Sequence, residues 1–159
     1  MIREDMAHYV VRHFLRQNGW SLIAGEYPDG TDDELRPLNI VDPNLARDRS
    51  PDHRRHSMNK LVPDIVAGMG SEILLVELKP TFDVRDEKKL VDMMTTRRSD
   101  LDLALREFMS RGKIDFELDD TYQLVPALGF AASCNFEPLP GWIYFLIDDE
   151  SHVSVRDYR

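Results

Sequence analysis

The chain has 159 residues, of which 42% are hydrophobic and 31% are charged, and its formal net charge at pH 7 is −9. This length and composition are typical of one globular domain, here residues 1–159, with a sizeable hydrophobic core. No apolar run is long enough to span a membrane and no signal peptide is evident, so we expect a cytoplasmic protein without membrane contacts. The acidity argues against a non-specific nucleic-acid binder, because phosphate neutralisation drives such binding.

The first part of the chain predicts a helix followed by a strand. Apolar residues recur every four positions from Ile2 to Phe14 and Gly19 follows them, which predicts a helix over residues 3–18. Residues 20–24 are mostly apolar and predict a strand. Proline and glycine then interrupt residues 27–60, which we interpret as an irregular insertion with one added edge strand over residues 36–41.

The end of this insertion is basic. Arg54, Arg55 and Lys60 lie there, just before the next apolar run. A basic loop beside a reactive site could hold a phosphate backbone. The alternative is an ordinary solvated loop, and the sequence favours neither.

Two apolar runs, residues 63–69 and 72–78, flank Gly70-Ser71, which predicts a β-hairpin. If Gly70-Ser71 form a two-residue turn, Met69 pairs with Glu72 and Asp64 lies directly opposite Glu77. Because side chains alternate along a strand, Glu77 and Lys79 share one face. The hairpin therefore predicts two carboxylates and an ammonium on one patch of the sheet.

Two carboxylates that are close together repel each other, and removing water from them is unfavourable. A divalent cation compensates both effects, and oxygen ligands suit Mg²⁺ or Mn²⁺. The alternative is an ion pair of Lys79 with Asp64 or Glu77 on a solvated sheet face. The apolar residues on both sides of Glu77 are unusual for a freely solvated strand, so we favour the metal site.

The remaining elements complete a mixed sheet. Asp83 is placed to cap a helix over residues 84–95, and Ser99 resembles the N-cap of a second helix that ends at Gly112. Strands are predicted over residues 122–132, 142–147 and 153–155, with Pro126 indicating an edge strand or a bulge. This order of elements predicts an α/β fold, a mixed β-sheet flanked by helices.

The hairpin also carries a family resemblance. Pro63-Asp64, twelve further residues, and then Glu77-Leu78-Lys79 resemble the signature of the PD-(D/E)XK nuclease superfamily. The stretch PDIVAGMGSEILLVELK is most similar to the hairpin of the archaeal Holliday-junction resolvases, and the resemblance covers roughly residues 1–95. It implies a restriction-endonuclease-like fold and a divalent-metal-dependent endonuclease that hydrolyses phosphodiester bonds of DNA. Asp64, Glu77 and the main-chain carbonyl of Leu78 would hold the metal, and Lys79 would position the attacking water.

The resemblance extends to residues outside the hairpin. In resolvase-like nucleases a glutamate near the start of the first helix joins the metal site, and Glu4 matches it by position. Glu26 and His8 are rivals for that place, and a carboxylate that merely complements the helix dipole is the alternative for Glu4. In this superfamily the helix after the E-x-K strand often lends a polar residue to the site. Lys88 and Lys89 are candidates for that role and for contacts with nucleic acid, although a solvated helix face is the alternative.

Two further functions stay open. A catalytically silent nuclease-fold subunit could act as a nucleic-acid- or protein-binding scaffold in a larger complex, which the charge of −9 favours. An RNA-directed nuclease would use the same chemistry and cannot be distinguished by these residues. The resemblance also implies a homodimer, because two cuts in a duplex need two sites.

Overall fold

The computed structural model describes residues 2–32, 34–41 and 60–159, with the backbone alone at positions 41 and 60. Three helices lie in these residues: α1 (Glu4–Gln17), α2 (Val84–Met94) and α3 (Arg98–Arg111). The same residues form eight strands: β1 (Ser21–Gly25), β2 (Ile40–Val41), β3 (Lys60–Leu61), β4 (Ile65–Met69), β5 (Glu72–Leu78), β6 (Gln123–Ala131), β7 (Ile143–Ile147) and β8 (Val153–Asp157). Of these helices, none has the length and apolar character needed to cross a lipid bilayer.

Six of the strands form one mixed sheet in the order β1-β4-β5-β6-β7-β8. Strands β5, β6 and β7 run parallel to one another, whereas β1 with β4, β4 with β5, and β7 with β8 are antiparallel pairs. The short strands β2 and β3 pair separately as an antiparallel ribbon. The predicted α/β class with a mixed sheet is therefore confirmed.

Helices cover both faces of the sheet. On one face Leu75 and Phe130 belong to a core that includes residues of α2 and α3, such as Leu90 and Leu105. On the other face Leu74 and Val76 belong to a core that includes Val11 and Leu15 of α1. Strand β5 is buried on both faces, which explains its nearly unbroken apolar sequence and makes its one charged interior residue, Glu77, conspicuous.

The hairpin has the predicted register. Gly70 and Ser71 form the turn between β4 and β5, and Met69 pairs with Glu72. Gly70 has a φ of 60°, a conformation that glycine adopts without a Cβ clash. The ladder continues to the pair Ile65 and Val76, so the next position sets Asp64 opposite Glu77.

The predicted ends of the helices are largely confirmed. Asp83 caps α2 by accepting a hydrogen bond from the N–H of Arg85 at 2.9 Å. The prediction of Ser99 as the cap of α3 is wrong, because α3 begins at Arg98. The carbonyl of Arg97 already accepts the N–H of Leu101 at 2.9 Å, which places Ser99 inside the first turn.

The prediction that Pro126 marks an edge or a bulge is wrong, because β6 lies between β5 and β7. The N–H of Gln123 donates to Ser71 in the β5 direction at 2.7 Å, and alternate N–H groups along a strand face opposite neighbours. The nitrogen of Pro126 therefore faces β7. Strand β7 begins opposite Ala127, one residue further along, so the missing N–H of Pro126 breaks no ladder bond.

The predicted edge strand over residues 36–41 is also corrected. Only Ile40 and Val41 are extended in a ladder, and they pair with β3 rather than with the six-stranded sheet. Arg36 accepts one hydrogen bond from the N–H of Gly25 at 3.0 Å. The next residue is Pro37, which has no N–H to continue such a ladder.

Candidate functional site

The paired carboxylates lie where β4 begins and β5 ends. Glu77 is the next-to-last residue of β5 and is 3% exposed. Asp64 directly precedes β4, and its Oδ2 accepts the N–H of Leu78 at 2.7 Å. Its main-chain carbonyl accepts the N–H of Glu26 at 3.1 Å. Asp64 is thereby fixed between the ends of β1 and β5, beside Glu77.

Burial makes these two carboxylates difficult to ionise together. Burial raises the pKa of Asp64 to about 6, although the Leu78 N–H and the Lys89 ammonium oppose this shift. The pKa of Glu77 is raised well above its usual value by burial and then by the charge of Asp64, with Lys89 again opposing. A pair with these properties favours a nearby cation, because a cation relieves both the repulsion and the desolvation.

Among the described residues, Lys89 of α2 is the cation that pairs with Glu77. Its Nζ lies 2.7 Å from Glu77 Oε1 and donates a hydrogen bond to the carbonyl of Val62 at 2.9 Å. Within the described residues this contact is an ion pair, and the buried Oε1 has no other polar partner. Of the two α2 lysines named from the sequence, Lys89 thus reaches the carboxylates, whereas Lys88 is exposed.

Among the described residues, Lys79 forms ion pairs with two carboxylates of the next helix and none with Asp64 or Glu77. Its Nζ lies 3.5 Å from Asp83 Oδ2 and 3.5 Å from Asp86 Oδ1. Burial lowers the pKa of Lys79, but Asp86 and Asp83 more than offset this and raise it overall. The physical reason is the position of α2, whose first turn follows β5 closely and brings these two carboxylates to Lys79.

Helix α1 directs two further candidates toward Asp64. His8 is fully buried, and its Nε2 lies 3.9 Å from Asp64 Oδ2. Among the described residues, neither ring nitrogen of His8 has a hydrogen-bond partner. Burial together with the Arg12 charge lowers the pKa of His8 to about 4, so the ring is neutral at neutral pH. Glu4 lies one turn earlier and is half-buried, and its charge contributes to the raised pKa of Asp64.

Arg12 is a supporting residue that the sequence analysis missed. It is 1% exposed, its Nη2 donates to Asp32 Oδ2 at 2.5 Å, and its guanidinium lies 4.0 Å above the ring of Tyr27. A Cβ at Gly25 would lie 2.7 Å from Arg12 Nη2, so glycine leaves room for the guanidinium. The available signal was the four-residue spacing of Glu4, His8 and Arg12, which places them on one side of the helix.

The donor set fits a metal ion that needs few protein ligands. Asp64 and Glu77 supply carboxylate oxygens, one of them buried and without a hydrogen-bond partner. Mg²⁺ often takes one or two carboxylates and keeps several waters, so this pair and the carbonyl of Leu78 suffice in number. Among the described residues no group of three or more His, Cys, Asp or Glu side chains is arranged to hold a metal, so neither Glu4, Glu26 nor His8 completes such a group.

Two surface depressions in the described part of the chain have linings that do not include the carboxylate pair. A cleft of about 640 Å³ lies between the start of α1 and residues 27–31, and Glu4, Tyr9, Tyr27 and Asp29 are among its lining residues. A groove of about 970 Å³ lies between α3 and residues 34–39. Neither lining includes Asp64, Glu77 or Lys89, so the carboxylate pair is not at the bottom of either depression.

The basic end of the insertion falls outside the described residues. This applies to Arg54, Arg55 and the side chain of Lys60, whose predicted contacts with nucleic acid stay predictions.

No family model, no curated protein and no solved structure matches this chain.

Proposed function

We propose that the chain is a divalent-metal-dependent endonuclease that hydrolyses phosphodiester bonds of DNA, using Mg²⁺ or Mn²⁺. The observation that carries this proposal is the burial of Glu77 beside Asp64, at the end of the β4–β5 hairpin away from its turn. Packing alone does not require this pair, since an apolar residue at position 77 would continue the pattern of β5. The order helix, strand, hairpin, helix and further strands supports a restriction-endonuclease-like fold of PD-(D/E)XK type.

The protein groups have distinct roles in this proposal. Asp64, Glu77 and the Leu78 carbonyl would hold the metal, which when bound would polarise the scissile phosphate and stabilise the leaving oxygen. The N–H of Leu78 fixes the orientation of Asp64. Because Asp83 and Asp86 keep Lys79 protonated, its ammonium would orient the attacking water or neutralise developing phosphate charge rather than accept a proton.

Cleavage assays test the proposal directly. Labelled single-stranded, duplex and four-way-junction DNA, and RNA, would be incubated with Mg²⁺ or Mn²⁺ and either the wild type or Asp64→Asn. We expect Asp64→Asn to lower the cleavage rate by about a thousandfold, because a metal ligand contributes several kcal/mol to the transition state. Asp115→Asn, an exposed and remote control, should cleave like the wild type. Undiminished metal-dependent cleavage by Asp64→Asn would refute the assignment.

A catalytically silent scaffold is the second candidate. It is favoured by the Lys89 ammonium beside Glu77, which already offsets one negative charge of the pair, and by the formal charge of −9. A scaffold need not bind Mn²⁺ at Asp64 and Glu77, so metal titration separates it from the enzyme. The substrate panel separates DNA from RNA. Homodimer formation and a cytoplasmic location stay predictions.

A further inference from the structure

The Lys89 ammonium lies beside Glu77, one of the two carboxylates that would bind the metal ion. Its Nζ lies 2.7 Å from the buried Glu77 Oε1, which has no other polar partner among the described residues. Metal–carboxylate bonds of Mg²⁺ are about 2.1 Å long, so a metal on this oxygen would lie only a few ångströms from the ammonium. Two positive charges at that separation repel each other.

We propose that Lys89 is a built-in counter-ion of Glu77 that a divalent cation displaces, so that the Lys89–Glu77 ion pair and the bound metal exclude each other. This inference rests on the proposed function, because it requires a metal at the carboxylate pair. The Lys89 ammonium then competes with the metal for Glu77, and this competition sets how tightly the metal binds.

The surroundings of Lys89 are suited to such an exchange. The side chain is 29% exposed, and its flexible stem can turn toward solvent. The carbonyl of Val62, which accepts a hydrogen bond from Nζ at 2.9 Å, offers an anchor that does not depend on Glu77. Lys79 differs, because it has its own two carboxylates, Asp83 and Asp86.

The ion pair also explains how the metal-free protein tolerates Glu77 in β5. The Lys89 ammonium lies 2.7 Å from a carboxylate that is only 3% exposed. A protein with neither metal nor this ammonium would contain two buried carboxyls without a compensating charge. Lys89 therefore stabilises the metal-free fold and weakens metal binding at once.

Mn²⁺ titration by calorimetry tests the exchange on the full chain, with the metal alone as the probe. Lys89→Met keeps the apolar stem and removes the charge, and Lys88→Met removes the same charge from the exposed neighbour. We expect Lys89→Met to bind Mn²⁺ about tenfold more tightly than the wild type, because a nearby positive charge is removed. Lys88→Met should change the affinity by less than about twofold, because exposed charges are screened.

A second measurement does not depend on the metal. Without metal, Lys89→Met should unfold at lower urea concentration than Lys88→Met, and this deficit should disappear when Glu77→Gln is added to both. If Lys89→Met does not fold, Lys89→Gln replaces it, because its amide can still donate to the Val62 carbonyl.

The outcomes separate the two proposals. Wild-type Mn²⁺ binding that is lost in Asp64→Asn, with no gain in affinity for Lys89→Met over Lys88→Met, overturns the displacement and leaves the metal site standing. Absence of Mn²⁺ binding in the wild type and in Lys89→Met overturns the metal site and the displacement together. Tighter binding by Lys89→Met that also requires Asp64 supports both.

Discussion

The raised pKa of Glu77 predicts how the stability of the metal-free protein changes with pH. Glu77 is 3% exposed, and burial and then the charge of Asp64 raise its pKa well above the usual value of a glutamic acid, with the Lys89 ammonium opposing this rise. In the unfolded chain the same carboxyl ionises near pH 4.5, the ordinary value. Replacing Glu77 by glutamine removes this titration and leaves a side chain of similar size.

The sign of the effect follows from proton binding. Above about pH 4.5 the native carboxyl still holds a proton that the unfolded chain has released, so the free energy of unfolding falls as pH rises. The slope is at most about 1.4 kcal/mol per pH unit, and it persists until the native pair loses its proton. His8 acts in the opposite direction between about pH 4 and 6.5, because its lowered pKa makes the unfolded chain bind more protons there. The difference between two proteins that both contain His8 therefore reports Glu77 together with the effect of its charge on Asp64.

Urea unfolding from about pH 5 to about pH 8 in the presence of a chelator measures this difference. We expect Glu77→Gln to gain stability over the wild type as pH rises, by about 1 kcal/mol per pH unit in the lower part of the range. Glu107→Gln, a change at an exposed glutamate of α3, should follow the wild type at every pH. Parallel profiles for the wild type and Glu77→Gln would refute the raised pKa and weaken the argument for a buried carboxylate pair.

Two predictions concern the packing that supports the site. Gly68→Ala should lower the free energy of unfolding by about 1–3 kcal/mol, because its Cβ would lie 2.4 Å from the ring of Phe116, and the same change should cost less in a Phe116→Leu background. Arg12→Met should cost about 3 kcal/mol, because it leaves the largely buried Asp32 carboxylate with two backbone N–H donors but no cationic partner. Adding Asp32→Asn to Arg12→Met should recover part of that loss in urea unfolding. If Gly68→Ala costs the same with Phe116 as with leucine at position 116, the Gly68–Phe116 contact is contradicted. If Asp32→Asn recovers none of the loss caused by Arg12→Met, the Arg12–Asp32 contact is contradicted.

The parts of the site that the sequence predicts are those set by local geometry. A two-residue turn at Gly70-Ser71 fixes the register of β4 and β5, and that register alone sets Asp64 opposite Glu77. The cap at Asp83 is equally local, because it depends on one side chain and the next turn of backbone. These features require no knowledge of how distant elements pack.

The parts that the sequence does not predict depend on packing between elements. Strand alternation puts Lys79 on the same face as Glu77, but it cannot say that α2 brings Asp83 and Asp86 to Lys79 and Lys89 to Glu77. The interior position of Pro126 is similar, because it depends on where the partner strand β7 begins. In both cases the strand itself is predicted, whereas the neighbouring side chain or strand is determined by the tertiary structure.

The acidity of the chain, which argues against a nucleic-acid ligand, is weaker evidence than it first appears. The formal charge of −9 counts Asp64 and Glu77 as ionised, yet the raised pKa values of both show that the buried pair resists holding two negative charges. A bound divalent cation would offset two of the nine charges at the place where a phosphate would approach. Under the proposed function, the charge that a nucleic acid would meet at this site therefore depends on metal occupancy. Net charge alone cannot decide between the endonuclease and the scaffold, whereas metal binding at Asp64 and Glu77 can.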